Sequence, residues 1–109
     1  MVVTWRGGVP GRERQGVAYG LEVTTFWNEQ AAQGVCSEPE MFFSSDGDNL
    51  WMVKGDSERL LTVWFSDESL RLMTKGQLLL DGFGWRFMMT GIAAQQHLAR
   101  VADTAAHLA

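Results

Sequence analysis

Apolar and polar positions alternate in four short stretches of this chain and recur at helical spacing between them. Val2 to Arg6 is β-branched and aromatic and stops at Gly7-Gly8, which predicts a strand followed by a loop. From about Arg12 to Gln33 two periods compete. Val17, Tyr19, Leu21, Val23 and Trp27 nearly alternate, whereas Tyr19, Val23, Phe26 and Trp27 share one helical face. A strand of that length would be unusual, and the segment closes with helix formers and Gly34, so a helix is expected. Were residues 17–27 a strand instead, the topology below would change.

Glu40–Ser44 and Leu50–Lys54 are apolar runs separated by Ser45-Asp46-Gly47-Asp48-Asn49, which predicts a β-hairpin. Asp56 then offers an N-cap, Glu58 suits the helix dipole, and Leu60, Leu61 and Trp64 continue that helix. Ser66-Asp67-Glu68 restarts a helix that carries Leu70, Met73, Gln77 and Leu80 on one face and ends at Asp81-Gly82. Phe83 to Thr90 is predicted as the last strand, broken by Gly91. Beyond it Ala94, Leu98, Val101, Ala105 and Leu108 form a heptad-like stripe, the mark of an amphipathic C-terminal helix. The order β-α-β-β-α-β plus one helix is the ferredoxin-like, split-βαβ arrangement of the α+β class. With no linker, repeat or composition shift, residues 1–109 form one domain with helices on one side of a four-stranded sheet.

Strand side chains alternate between faces, so each face can be read separately. One phase holds Val3, Trp5, Met41, Phe43, Trp51, Val53, Trp85, Phe87 and Met89, large and uniformly apolar, and belongs under the helices. The other holds Val2, Thr4, Arg6, Glu38, Glu40, Phe42, Ser44, Leu50, Met52, Lys54, Arg86, Met88 and Thr90. A wet face of an antiparallel sheet normally alternates cleanly with the dry one, and this mixed set does not. With no sequence left to cover it, a second copy of the chain is the expected cover, as a two-fold homodimer.

The chain resembles the dimeric α+β barrel superfamily, and within it a group of small bacterial proteins of unassigned function. The matching residues are Gly8 to Glu13, Phe26-Trp27 through Gly34, Glu38-Pro39, Asp46 to Leu50, Gly55-Asp56, Ser66 to Glu68, and Asp81 to Gly84. These are turn and cap residues, so the resemblance implies a fold and an assembly far more than a chemistry. It implies two ferredoxin-like sheets closing into a barrel whose lumen is lined by the mixed phase. The superfamily also includes cofactor-independent monooxygenases and isomerases acting on aromatic or polyketide-like compounds. That reading would give Arg86 a substrate oxyanion to bind and Glu40 or His97 a proton to move. The oxygenases' asparagine, tryptophan, tyrosine and arginine set has no shared motif here onto which Asn28, Trp27, Tyr19 and Arg86 can be placed.

Composition narrows the choice. Thirteen acids against nine bases give a net charge of −4, which disfavours nucleic acid as a partner. One cysteine, Cys36, excludes an internal disulfide and a thiol cluster for zinc. No run approaches a membrane span, and the first residues lack the basic start and apolar stretch of a secretory signal, so the cytoplasm is the expected location. His97 and His107 stand ten residues apart on one helix, too far to share a metal, and no dinucleotide or phosphate-loop pattern occurs. No cofactor is expected. The expected function is binding of a small hydrophobic or aromatic anionic molecule, with Arg6, Glu38, Glu40, Phe42, Arg86 and Met88 as candidate ligand residues. Arg86 would anchor the anion, with Phe42 and Met88 as walls; the competing reading makes the charges ion pairs that tie two sheets together.

Overall fold

The computed structural model of the chain describes residues 1–108. Its strands are β1 (Val2–Trp5), β2 (Gly7–Gly8), β3 (Glu40–Phe42), β4 (Asn49–Met52), β5 (Leu80–Asp81) and β6 (Gly84–Arg86). Its helices are α1 (Glu13–Ala32), α2 (Ser57–Trp64), α3 (Asp67–Leu79) and α4 (Gly91–Leu108). The chain is α+β, and its main sheet is antiparallel with strand order β3-β4-β1-β6. The competition over residues 17–27 resolves as a helix, which buries Tyr19, Val23 and Trp27. Gly34, at φ +79°, takes the left-handed conformation just past its end, as its place in the sequence suggested.

Local capping chemistry sets the next two helices. The Asp56 carboxylate accepts from the Arg59 amide at 3.2 Å, and the Ser66 hydroxyl from the Ser69 amide at 3.3 Å. The core then gathers Val3, Tyr19, Val23, Trp27, Trp51, Val53, Leu60, Trp64, Leu72, Met73 and Leu79. Trp27 stacks edge-on against Trp51 at 5.8 Å, and Trp64 lies 4.3 Å from Trp85, which fixes α1 and α2 to the same face of the sheet.

Two expectations need correction. The buried face of α3 is Ser69, Leu72, Met73, Gly76 and Leu79, while Leu70 and Gln77 are exposed. The helix is turned so that Gly76, with Leu72, Met73 and Leu79, faces the core, where the glycine allows a close approach to Tyr19 of α1. A Cβ at Gly76 would lie 2.5 Å from the Tyr19 hydroxyl and 2.7 Å from the Phe83 ring. Burial and the nearby Glu22 charge push the Tyr19 phenol well above its ordinary range, so it stays neutral in that contact. Beside it Glu22 receives Lys75 and Arg71 from α3, and these bonds hold its carboxyl below the usual range.

The second correction concerns the last strand. Leu80 is already extended, and Leu80–Asp81 pairs with Gly7–Gly8 before Gly84–Arg86 pairs with Val2–Thr4. The two pairings keep one register, interrupted where Gly82 turns at φ +65° against the Arg6 side chain. Pairing thus starts earlier than the sequence suggested and stops at Arg86. Phe87 still reaches Trp64, at 5.6 Å, but Met88 and Met89 are exposed in the connection to α4.

Replacing Gly76 by alanine forces Tyr19 or Phe83 aside. Urea unfolding of Gly76→Ala is expected to show a loss of about 1–3 kcal/mol, the usual cost of overpacking a core contact.

Candidate functional site

Two apolar surfaces remain after the core is built. The first is a cleft of about 520 Å³ on the helix side of the sheet. Its floor is Val3, Trp5 and Trp51, and its walls are Val17 and Leu21 from α1 and Met41 and Phe43 from the hairpin. The lining is almost wholly apolar. The row Met41–Trp51–Val3–Trp85 crosses all four strands in register, yet α1 to α3 bury only its centre. Trp51 is 3% exposed, whereas Met41 is 42% and Phe43 73% exposed. The all-apolar strand phase is therefore wider than the helices that cover it.

The second surface is the opposite face. Glu40, Met52, Val2 and Arg86 form one row across it, and Phe42, Leu50, Thr4 and Gly84 the next. Helices α1 and α2 pack on the other side, and α4 buries none of its residues, so no helical layer lies here. Phe42 is 48% exposed, Leu50 and Met52 are half-buried, and Val2 at the centre of the first row is buried. Glu40 and Arg86 occupy opposite edges of the row, three strand spacings or about 14 Å apart, so they do not pair within one chain.

The structure therefore brings Glu40, Phe42 and Arg86 onto one face. It separates the other three candidate residues from them. Arg6 follows the end of β1, where its guanidinium donates to Asp48 at 2.9 Å and ties the hairpin turn to the strand. Asp46 organises that turn, accepting from the Ser44 hydroxyl at 2.6 Å and the Asp48 amide at 2.9 Å. Those bonds, the Ser44 hydroxyl foremost, hold its carboxyl below the ordinary range. Met88 stands beyond β6, in the connection to α4. Glu38 precedes β3 and lines a polar depression of about 500 Å³ with Asn28, Ala31, Ala32 and Cys36. The sequence reading missed the cleft because it assigned the whole apolar phase to the core. Val17 and Leu21, set aside when the first long segment was read as a helix, were the signal that could have located it.

Among the described residues no cluster of histidine, cysteine and acidic side chains could hold a metal ion, and no helix is long and apolar enough to cross a membrane. His97 and His107 are both exposed on α4. No protein-family model, curated protein or solved structure matches the chain.

Burial raises the Cys36 thiol above its ordinary range, only partly offset by the nearby N-terminal ammonium. Little thiolate exists at neutral pH, so Cys36 is expected to react with a disulfide reagent more slowly than a free thiol. Its rate should still be climbing above the usual thiol range, and a stopped-flow pH profile checks this.

Proposed function

We propose that the chain is a homodimeric binding protein of the dimeric α+β barrel kind. Two ferredoxin-like sheets stack with their open faces inward and hold a small hydrophobic or aromatic anionic molecule between them. The observation that carries this reading is the open face itself, with an acid at one edge, a base at the other and apolar residues between. A two-fold axis along the strands lays the β6 edge of one sheet over the β3 edge of the next. Arg86 then faces Glu40 of the partner subunit, Phe42 lies over the β6 edge of the opposite sheet, and Leu50, Met52 and Val2 fill the middle.

Stacked sheets lie about 10 Å apart, a space that paired large side chains fill completely. Room for a ligand arises where the side chains are small. The second row shrinks to Thr4 and Gly84 toward the β6 edge, one row from Arg86. That corner combines a floor of small residues with a cation, and the β3 edge of the opposite sheet brings Phe42 across it as the apolar wall, which suits a compact aromatic or aliphatic acid.

The alternative is a cofactor-independent monooxygenase or isomerase using the same lumen. Arg86 would hold a substrate oxyanion, and Glu40 or His97 would move the proton. Within one chain Glu40 stands at the edge farthest from Arg86. The partner subunit's Glu40, which faces Arg86 in the stack, serves as the guanidinium's counter-ion rather than as a free base. His97 stands on a helix that buries no residue. Binding without turnover is therefore the reading kept.

Native mass spectrometry of gently purified protein tests it. A mass twice the 12.2 kDa of the chain, with a retained small molecule, is expected. Arg86→Ala should lose that molecule and keep the dimer. A variant that falls apart into monomers would assign Arg86 to the ion pairs between sheets, and a monomeric parent protein would overturn the stack.

A further inference from the structure

On the stacked-sheet reading, which this step presupposes, we infer that Glu40 sets the anion affinity of the site across the interface. Each Glu40 carboxylate competes with the ligand's negative charge for the partner's Arg86.

The two inner rows hold Glu40, Met52, Val2 and Arg86, then Phe42, Leu50, Thr4 and Gly84. Glu40 and Arg86 are their only charged side chains. Both are exposed in a single chain, and among the described residues neither enters an ion pair. Three strand spacings separate them within the chain. The two-fold stack instead sets one against the other across a gap of about 10 Å, which two extended side chains span. An acid and a base at opposite ends of one row make the face complementary in charge to a copy of itself.

Desolvation explains why the acid is needed. Closing a second sheet over Arg86 takes water from its guanidinium, and an unpaired cation there would oppose association. Glu40 of the partner subunit balances it, so the empty dimer can close before any ligand arrives. The same balance weakens the site toward anions. A carboxylate seated at Gly84 lies two residues along β6 from Arg86, about 7 Å at 3.4 Å per residue. It reaches the guanidinium, whose five donors can serve two acceptors at once, but it also meets the charge of the partner's Glu40. Like charges about 7 Å apart cost about threefold in affinity when water fills the space between them, and about fiftyfold at the effective dielectric of a protein surface. A neutral ligand of the same shape escapes this penalty. Glu40 is therefore a specificity-determining residue that acts through Arg86 of the other chain.

Calorimetric titration of the full chain with 2-naphthoate and its uncharged counterpart 2-naphthamide tests this. Glu40→Gln keeps the size of the side chain and removes its charge. It is expected to tighten naphthoate binding about tenfold, between the two limits, while naphthamide changes by less than about twofold. An unchanged or weakened naphthoate affinity would overturn the inference.

A mixed dimer shows whether the effect crosses the interface. The parent chain is co-expressed with an Arg86→Ala, Glu40→Gln chain, and the mixed species is purified through two different tags. Only one of its corners keeps an arginine, and that arginine faces the substituted position 40. Half the naphthoate sites are expected, with the affinity of Glu40→Gln. Half the sites with the parent affinity would mean that Glu40 acts within its own chain, and would also overturn the inference. Arg86→Ala alone separates the competition from the site itself. If it leaves naphthoate binding intact, the stacked-sheet site falls and the role of Glu40 with it. If it abolishes binding while Glu40→Gln changes nothing, the site stands and only the competition is wrong.

Discussion

A sheet of four strands has two faces, and this chain provides packed helices for only part of one. The rest of the structure follows from that constraint. Helices α1 to α3 seal the middle of the row Met41–Trp51–Val3–Trp85, where Val3 and Trp51 are buried. They leave Met41 and Trp85 more than two-fifths exposed at its ends. Residues that would sit inside a larger domain become surface here.

Tryptophan makes the covered part dense. Trp27, Trp51 and Trp64 are all nearly inaccessible; the Trp27–Trp51 contact joins α1 to β4, and the separate Trp64–Trp85 contact joins α2 to β6. The density has a cost, because the indole N–H groups of Trp27 and Trp51 find no acceptor within the chain. Each unpaired donor costs roughly 1–3 kcal/mol, against several kcal/mol for the area a buried indole removes from water. Packing wins that comparison, and Gly76 lets α3 close on Tyr19 of α1.

How much of this could be read from the sequence depends on whether the deciding interaction was local. The Asp56 cap, the hairpin around Gly47 and the long helix ending at Gly34 were legible because each depends on residues within a few positions. The face of α3 was not. Leu70 looks like core by periodicity, but the fit between Gly76 and Tyr19, fifty-seven positions apart in sequence, turns the helix away from it. The last strand moved for a related reason: its start is set by Gly7–Gly8 pairing with Leu80–Asp81, a long-range contact that no local pattern encodes. Of the candidate site, the shared face of Glu40, Phe42 and Arg86 was legible from strand alternation. The scatter of Arg6, Glu38 and Met88 was not, because alternation says nothing about where a strand stops.

The edges of the sheet disfavour one route of association. Strand β3 has three residues and follows Pro39, and β6 also has three and ends at Arg86. Short edge strands flanked by proline and charge pair poorly with another chain. Growth by strand addition is thus discouraged while two apolar surfaces stay open. The chain's dimensions point the same way. Its radius of gyration is 16.5 Å, where about 13 Å is usual for a compact domain near this length, and the long axis reaches 54 Å. A helix that lengthens the molecule and buries nothing has no stabilising role in a lone chain.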